Sequence, residues 1–369
     1  MGARRHPACD RGRYRRCRTA FQETQTEVRL TEPLRLLGAP GSPYTRKMIA
    51  LLRYRRIPHA ILWGSHMQPP EGLPAPKVKL LPTVYFPLAD GTLEPAVDSS
   101  PIIRRLEAEH KGREAIPADP VLAFLNHLIE DYADEWLTKA MFHYRWAFAE
   151  DAANAAPLLV FWMAPTMHAE TAAQTADMFA DRQISRLYVV GSNDTTGETI
   201  EHSYRRFLAV LDALIARRGY VLGARPSSAD FAIHGQLAQL AVIEPTSAAI
   251  AAQTAPRVRA WLDRVEDLSG VEPANADWLS RDEMTMLRPL LSEIGRVYAP
   301  FLMANAKAVM AGAEIVQTEI DGRAWTQPVF PYQAKCLQWI REAFAALGAD
   351  DQAAVRTLLD RTGCEALLP

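Results

Sequence analysis

The sequence of 369 residues predicts an α/β domain followed by an all-helical region. Three observations support this prediction. Strand-like and helix-like segments alternate between Leu34 and Leu106. Strand signals nearly vanish after Pro120, where apolar residues recur at helical spacing. The chain is also longer than one ordinary domain, so more than one folded unit is expected.

The first unit combines strand, helix and turn signals in a definite order. Residues 34–37 form a short apolar strand, which ends at a Gly-Ala-Pro-Gly loop. A helix is expected from Pro43, because proline suits the first helical position and Ser42 is a favoured N-cap. The later elements are a strand at 59–63, a strand at 83–86, a hairpin turn at Asp90-Gly91, a strand at 93–97 and a helix from Ser99. The order β-α-β and then β-β-α is that of a thioredoxin-like half.

Three short elements lie where this unit changes from loop to regular structure. They are Ser42-Pro43-Tyr44, Leu81-Pro82 and Asp98-Ser99. Each has a local explanation, since serine and aspartate cap helices and proline shapes bends. A serine at a helix N-terminus also sits in positive potential, where its hydroxyl can donate to an anion such as a thiolate. The three elements in this order favour one shared ligand site.

This region resembles the amino-terminal domain of the glutathione transferase superfamily. In that family a Ser-Pro-[Tyr/Phe] or Cys-Pro-[Tyr/Phe] element opens the first helix, and a cis-proline and an acid-Ser pair complete the glutathione site. The resemblance implies that Ser42 is catalytic and stabilises the glutathione thiolate. It implies that Leu81, before cis-Pro82, holds the cysteinyl unit through its backbone. Asp98 would face the γ-glutamyl ammonium, and Ser99 would face the γ-glutamyl carboxylate.

One position departs from the pattern of this family. Related serine-type members often carry a lysine directly before the dipeptide that contains the cis-proline, and Leu80 stands there in this chain. Lys79 or Lys77 is expected to meet the glycyl carboxylate instead. Ser42 in place of cysteine argues against disulfide exchange, because a hydroxyl forms no mixed disulfide. Tyr44 supplies a second hydroxyl, which either contacts substrate or packs inside the first helical turn.

Apolar residues between 125 and 137 recur at the spacing of an amphipathic helix. The same helix carries acidic residues, and His127, Asp131 and Glu135 lie four positions apart on it. These three side chains either hold a metal ion or belong to a solvated face with pairs such as Glu135–Lys139. We favour the solvated face.

Aromatic residues cluster in and after this helix. Trp136 and Tyr144, with Phe142 and Trp146, either line an apolar substrate cleft against the first unit or pack in the core. Both alternatives fit apolar rings at helical spacing. Trp136, Tyr144 and Tyr44 are therefore the candidate substrate-binding residues.

A second signature lies further along the helical region. Ser227 and Asp230 have the spacing of a capping box, with Asp in place of the usual Glu, ahead of an apolar helix. The segment resembles the Gly-x-x-x-Ser-x-x-Asp element of the transferase family's helical domain, whose role is in folding. Residues 256–261 resemble the closing helix of that domain.

Residues 271–369 exceed an ordinary member of the family. An apolar stripe runs from Leu287 to Leu302, and Asp321-Gly322 indicates a tight turn. A packed helical extension is favoured over a lid, for which Trp325 in a loop would be the candidate. The predicted domains are a disordered basic tail at 1–32, a thioredoxin-like glutathione-binding domain at 33–112, an all-helical substrate domain at 113–270 and a helical extension at 271–369.

The composition narrows the class of protein. Lys and Arg number 41 against 43 Asp and Glu, and the resulting net charge of −2 gives no sign of nucleic-acid binding. No apolar run approaches the roughly 20 residues that cross a membrane. Cys9, Cys17, Cys336 and Cys364 form no Cys-x-x-Cys pair, so we expect no metal site and a reducing, cytoplasmic compartment. The arginine-rich segment 1–18 fits disorder; a transit peptide, a nucleic-acid arm and an over-extended start stay open.

Together these observations predict a glutathione transferase-like enzyme. The thiolate of bound glutathione, the co-substrate, is expected to attack a small hydrophobic electrophile, and the resemblance implies a homodimer. The alternative is a non-catalytic glutathione-transferase-like protein that binds ligands or acts as a scaffold. A thiol-disulfide oxidoreductase is disfavoured, because serine rather than cysteine stands at position 42.

Overall fold

The structure is a computed structural model that describes residues 32–65 and 70–369. The predictions for the basic tail, and Cys9 and Cys17 within it, lie outside these residues. The strands are β1 (Leu34–Gly38), β2 (His59–Trp63), β3 (Thr83–Pro87), β4 (Leu93–Val97), β5 (Ile315–Ile320) and β6 (Arg323–Pro328). The helices are α1 (Pro43–Tyr54), α2 (Ser99–Glu109), α3 (Pro120–Tyr132), α4 (Thr138–Ala147), α5 (Ala149–Met163), α6 (Ala169–Ile184), α7 (Gly197–Arg218), α8 (Ser228–Leu240), α9 (Pro245–Thr254), α10 (Pro256–Val265), α11 (Arg288–Met310), α12 (Pro331–Ala345) and α13 (Ala349–Leu359). A π-helical turn, Ala133–Leu137, joins α3 to α4.

The strands β1 to β4 form one mixed sheet in the order β2-β1-β3-β4. β1 pairs with β2 in parallel and with β3 antiparallel, so Leu36 lies between Ile61 and Val84. Leu36 and Val84 are fully buried, which accounts for the apolar character of the central strands. β3 and β4 form the predicted hairpin. The β-α-β and β-β-α order is observed, and the prediction of a thioredoxin-like domain is confirmed.

Helix α8 joins the helical region to the sheet domain. Its first turn carries the predicted capping box, in which Ser227 N donates to Asp230 Oδ2 at 2.9 Å and Asp230 N donates to Ser227 Oγ at 3.3 Å. α8 packs against α1 at Gly235, where an added Cβ would lie 2.3 Å from the carbonyl oxygen of Pro43. A glycine permits this close approach because it has no Cβ. The start of α1 therefore packs directly against α8.

Residues 271–369 form a mainly helical extension, as predicted, and also contain the antiparallel hairpin β5–β6. The predicted turn at Asp321-Gly322 joins the two strands, and the φ angles of 53° and 73° are typical of a type I′ turn. Trp325 lies in β6, is 1% exposed and packs on Trp136 with ring centroids 5.3 Å apart. The lid interpretation of Trp325 is therefore wrong, because the strand turns this side chain into the core.

A continuous apolar core extends through the described residues from Leu34 to Leu368 and joins the sheet domain, the helices and the extension. The domain boundaries at 112 and 270 stay predictions. Within the described ranges, no helix combines the length and the hydropathy that a membrane crossing requires.

Candidate functional site

A cavity of about 350 Å³ is bounded by the start of α2, the π-helical turn and the start of α12. Among the predicted site residues, those that line it are Tyr44, Leu81, Pro82, Asp98 and Ser99. The predicted residues outside its wall are Ser42, Lys79, Trp136 and Tyr144. Further lining residues that the sequence analysis did not select include Asp134, Phe330, Tyr332, Gln333 and Trp339.

Ser42 caps α1 and stands two residues before the cavity-lining Tyr44. Its Oγ accepts a hydrogen bond from Thr45 N at 3.2 Å. A hydroxyl that accepts in this way still carries an O–H donor. Tyr44 differs, because its hydroxyl donates to the carbonyl oxygen of Asp134 at 2.8 Å. Burial raises the pKa of Tyr44 well above its ordinary value. Tyr44 therefore stays a neutral phenol, and its proton is donated to the hydrogen bond with Asp134.

Buried side chains of the helical region hold the loop in front of Ser42. Arg145, 5% exposed, donates through Nη1 to the carbonyl oxygen of Gly41 at 3.0 Å. The same guanidinium donates to Gln239 Oε1 at 2.7 Å and to Glu244 Oε1 at 2.6 Å. Charge-assisted hydrogen bonds of this kind are among the stronger ones in proteins. The Ser42 loop is therefore positioned by the helical region as well as by α1.

The Leu81–Pro82 peptide bond is cis, as the resemblance implied. Both residues line the cavity directly before β3. Leu80 also lines the cavity and is 48% exposed. Lys79 is exposed and lies outside the wall, so its contact with a ligand carboxylate stays a prediction.

Asp98 and Ser99 lie where α2 begins. Asp98 has a φ of 75°, an uncommon conformation for a residue other than glycine. Its Oδ2 accepts a hydrogen bond from the hydroxyl of Tyr332 at 2.7 Å. Burial, and after it the charge of Asp98, raise the pKa of Tyr332, so the phenol remains the donor. Ser99 Oγ accepts from Lys47 Nζ at 3.1 Å. Tyr332 of the extension thus contacts Asp98, the residue that is expected to bind the γ-glutamyl ammonium group.

Lys47 is a buried cation beside this cavity that the sequence analysis missed. It is 1% exposed, and its Nζ lies 2.7 Å from Glu130 Oε1 and 2.6 Å from Asp134 Oδ2. Burial lowers the pKa of Lys47, but the two carboxylates outweigh burial and raise it overall. The signal that could have found Lys47 is its position four residues before Leu51, on the apolar face of α1.

The acidic face that was predicted to be solvated is buried. Glu130 is 4% exposed and Glu135 is 9% exposed. α12 covers this face, and Gln333 donates through Nε2 to Glu135 Oε2 at 2.9 Å. The solvated-face interpretation is therefore wrong, because it did not anticipate that the extension folds back on α3. In the part of the chain that the structure describes, no group of three or more His, Cys, Asp or Glu is arranged to hold a metal ion.

Asp131 and Glu135, two carboxyl groups of this face, form no ion pair with any cation in the described ranges. Asp131 Oδ2 accepts from the Tyr298 hydroxyl at 2.6 Å. Burial raises the pKa of Asp131 to about 6. Burial, and next the repulsion from Asp131, raise the pKa of Glu135 to about 8. This wall of the cavity therefore holds carboxyl groups that exchange protons near neutral pH.

The structure corrects the cleft interpretation of Trp136 and Tyr144. They are 1% and 0% exposed, and neither lines the cavity. Trp136 Nε1 donates to Ser203 Oγ at 3.1 Å, and Tyr144 stacks on Phe148 with ring centroids 5.4 Å apart. Both rings are core residues because α7 and the extension cover the helix surface that carries them. The aromatic residues that line the cavity are instead Tyr44 of α1, Phe330 directly before α12, and Tyr332 and Trp339 within α12.

A four-stranded thioredoxin-like domain, joined to a helical domain and with a cis-proline cavity at its edge, defines the class of protein. The family description "Glutathione S-transferase, N-terminal domain" matches residues 36–114. The description "Glutathione S-transferase, C-terminal domain" matches residues 198–264. The chain therefore belongs to the glutathione S-transferase superfamily. Residues 271–369 lie outside both matched ranges.

Among curated proteins, no match to this sequence was found. Solved structures of low similarity include a glutathione S-transferase from Methylobacterium radiotolerans in complex with glutathione sulfonate, with 21% identity, coverage of 67% of this chain and 94% of that chain, and a TM-score of 0.40. Another is a glutathione transferase family member from Pseudomonas fluorescens with bound S-(propanoic acid)-glutathione, with 22% identity, coverage of 65% and 98%, and a TM-score of 0.36. A Tau class enzyme from mango has 17% identity, coverage of 67% and 95%, and a TM-score of 0.36.

Proposed function

We propose that this protein is a glutathione transferase-like enzyme in which the thiolate of bound glutathione attacks a small electrophile. The observation that carries the proposal is that Leu81, Pro82, Asp98 and Ser99 line one cavity. Membership of the superfamily supports it, and so does the size of the cavity, since ligand sites commonly measure about 300–1,000 Å³.

The proposed co-substrate, glutathione, has complementary groups along this wall. Asp98 receives the γ-glutamyl ammonium, and Ser99 with the first N–H groups of α2 receives the γ-glutamyl carboxylate. The backbone of Leu81 pairs with the cysteinyl unit. The exposed Lys79 takes the glycyl carboxylate at the open side.

Ser42 is the proposed donor to the thiolate. A free cysteine thiol has a pKa near 8.5, so lowering it by one or two units makes most of the thiol ionised at neutral pH. Each unit corresponds to about 1.4 kcal/mol, which one charge-assisted hydrogen bond supplies. Ser42 suits this role better than Tyr44, because the Tyr44 hydroxyl already donates to the backbone of Asp134.

Calorimetric titration with reduced glutathione tests the binding site. We expect saturable binding that Asp98→Ala weakens at least tenfold, because the ammonium loses its counter-charge. Asp194→Ala, at an exposed loop residue, is the matched control and should bind like the wild type. Absence of heat at millimolar glutathione would contradict the proposed site.

Turnover of an aryl halide tests the catalytic role of Ser42. We expect Ser42→Ala to lose most activity while it still binds glutathione, and to lose the ultraviolet absorbance of the bound thiolate. Ser42→Thr retains the hydroxyl and is expected to retain the absorbance. Equal turnover in the wild type and Ser42→Ala would exclude Ser42 as the thiolate donor.

A non-catalytic ligand-binding or scaffold protein is the second candidate. Tyr332 donates to Asp98 and Lys47 donates to Ser99, so both proposed ligand-binding side chains already have protein partners. Saturable glutathione binding together with no turnover of aryl halides or epoxides would select this alternative.

We also propose that the protein acts in the cytoplasm as a homodimer. Cys336 and Cys364, both in the described ranges, are unpaired and buried, which fits a reducing compartment. Light scattering after size-exclusion chromatography measures the mass in solution. Twice the mass of the chain is expected, and the mass of a single chain would contradict the dimer.

A further inference from the structure

The part of the cavity wall formed by the end of α3, the π-helical turn and α12 differs chemically from the proposed glutathione wall. We call it the acidic wall and define it by Asp131, Asp134, Glu135 and Gln333, all of which line the cavity. Asp134 is 7% exposed and Gln333 is 2% exposed. Asp134 Oδ1 and Gln333 Oε1 have no hydrogen-bond partner among the described residues. Buried acceptors without a donor are unfavourable, so a ligand that brings N–H groups would complete them.

The charges around the cavity also favour a cationic ligand. Apart from the tyrosines, the ionisable lining residues are the acids Asp98, Asp131, Asp134 and Glu135, the cations Arg104 and Lys139, and His127. Burial is the main cause that lowers the pKa of His127 to about 4, so it is neutral. Lys139 donates to Val190 O and Gln327 Oε1, each at 3.1 Å, rather than to a carboxylate. Four acids and two cations therefore line the cavity, and Lys47, beside the cavity, pairs with Asp134. Among the described residues, Glu135 has only the neutral Gln333 as its side-chain hydrogen-bond partner.

Three aromatic side chains of the extension line the same cavity. The rings of Tyr332 and Trp339 meet edge-on with centroids 5.7 Å apart, and those of Phe330 and Tyr332 lie 6.3 Å apart. The faces of aromatic rings attract cations, and ammonium ligands are commonly recognised by several rings together. Rings beside the carboxyl groups of Asp131 and Glu135, which form no ion pair among the described residues, suit a ligand with a positive group on an apolar body.

We propose that the acidic wall and these three rings bind the ammonium group of an organic amine with an apolar body. The inference deepens the proposed function and rests on it, because it makes the second substrate an amine-bearing compound rather than a neutral hydrophobe. It assigns a ligand-binding role to the extension, which lies outside both family matches.

Calorimetric titration of the full chain with phenethylammonium chloride, in the absence of glutathione, tests the proposal. The control ligand is 2-phenylethanol, which has the same apolar body and no charge. We expect the ammonium compound to bind at least ten times more tightly than the alcohol. Equal affinities would overturn the proposal.

Two variants locate the site on the acidic wall. Glu135→Gln is expected to reduce the preference for the ammonium compound at least fivefold, whereas Glu150→Gln, at an exposed residue of α5, should leave it unchanged. Thermal unfolding shows whether each variant is folded. Trp339→Leu provides a second test and should weaken ammonium binding more than alcohol binding. An unchanged preference in both Glu135→Gln and Trp339→Leu would overturn the proposal.

A separate titration with glutathione distinguishes this inference from the proposed function. Binding of phenethylammonium without binding of glutathione would retain the amine site and contradict the transferase. Binding of glutathione without the preference for the ammonium compound would retain the transferase and overturn the amine site.

Discussion

Glu130 and Glu135 lie five residues apart where α3 passes into the π-helical turn, and both are buried, yet their pKa values move in opposite directions. Burial raises the pKa of Glu130, but Lys47 and the hydrogen bonds to it outweigh burial and lower the pKa overall. For Glu135, burial and the repulsion from Asp131 outweigh the hydrogen bond from Gln333 and the charge of Lys139, and they raise its pKa to about 8. The charge of the neighbours, rather than the depth of burial, decides whether each carboxyl group is ionised.

The hydrogen-bond partners explain the difference. Glu130 accepts from Lys47 at 2.7 Å, from Ser100 at 2.8 Å and from Ser228 at 2.6 Å, so it connects α1, α2 and α8. Glu135 accepts a side-chain hydrogen bond from Gln333 at 2.9 Å and lines the cavity. The first carboxylate holds elements of the fold together, whereas the second belongs to the wall that we propose as a ligand site.

Replacing Lys47, the cation that Glu130 and Asp134 share, should have the largest effect on the free energy of unfolding. Lys47→Met leaves Glu130 and Asp134 buried without their counter-charge, and we expect a loss of about 3–5 kcal/mol in the free energy of unfolding. Urea unfolding at neutral pH measures it. Lys307→Met, at an exposed residue of α11, is the control and should change stability by about 0.5 kcal/mol or less. A loss below about 1 kcal/mol for Lys47→Met would show that Lys47 does not compensate the buried charges of Glu130 and Asp134.

Replacing Glu130 or Glu135 by glutamine should change the free energy of unfolding in opposite directions at pH 8. Glu130→Gln removes an ionised partner of Lys47 and is expected to lower the free energy of unfolding by about 1–3 kcal/mol. Glu135→Gln removes a carboxyl group that is costly to ionise, and a gain on the order of 1 kcal/mol is expected. Urea unfolding of the two near-isosteric variants provides the comparison. Equal destabilisation by both would remove the distinction between the two carboxyl groups.

The pH dependence of stability follows from the raised pKa of Glu135. The folded value of about 8 lies above the ordinary value of 4.5, so the folded state binds more protons between these two pH values. The contribution of Glu135 to stability is therefore present at low pH and is lost as pH rises from about 4.5 to 8. Unfolding measured from pH 5 to 8 should show a shallower decline for Glu135→Gln than for the wild type, by up to about 1.4 kcal/mol per pH unit. Parallel profiles would contradict the raised pKa.

The helix cap at Ser42 shows how much one hydrogen bond between neutral groups contributes to the free energy of unfolding. Ser42→Ala removes the acceptor of Thr45 N and is expected to lower the free energy of unfolding by about 1 kcal/mol. Ser42→Gly should cost only a few tenths of a kcal/mol, because glycine is itself tolerated at the N-cap. Both values should lie well below that of Lys47→Met, and a comparable loss for Ser42→Ala would show that Ser42 has more than a capping role in the fold.

The predictable parts of the fold are those that neighbouring residues decide. Ser42 caps α1, Ser227 and Asp230 form a capping box, and Asp321-Gly322 makes a tight turn, all as predicted. In each case the two groups that interact lie within a few residues, so the pattern in the sequence contains the whole interaction. The alternation of strands and helices in the first unit is of the same kind.

The tertiary structure alone decided which polar groups are buried and which residues complete the cavity. Lys47 meets Glu130 across 83 positions of the chain, Gln333 meets Glu135 across 198, and Tyr332 meets Asp98 across 234. No local pattern contains such pairs, so the sequence predicts a solvated acidic face and leaves Trp136 as a residue of either a cleft or the core. The sequence by itself determined the elements of the first unit, their order and the family, because these depend on local preferences and spacing. The ionisation of Glu130 and Glu135, and the wall that α12 adds, depend on which distant segments pack together, because burial and neighbouring charge exist only in the folded chain.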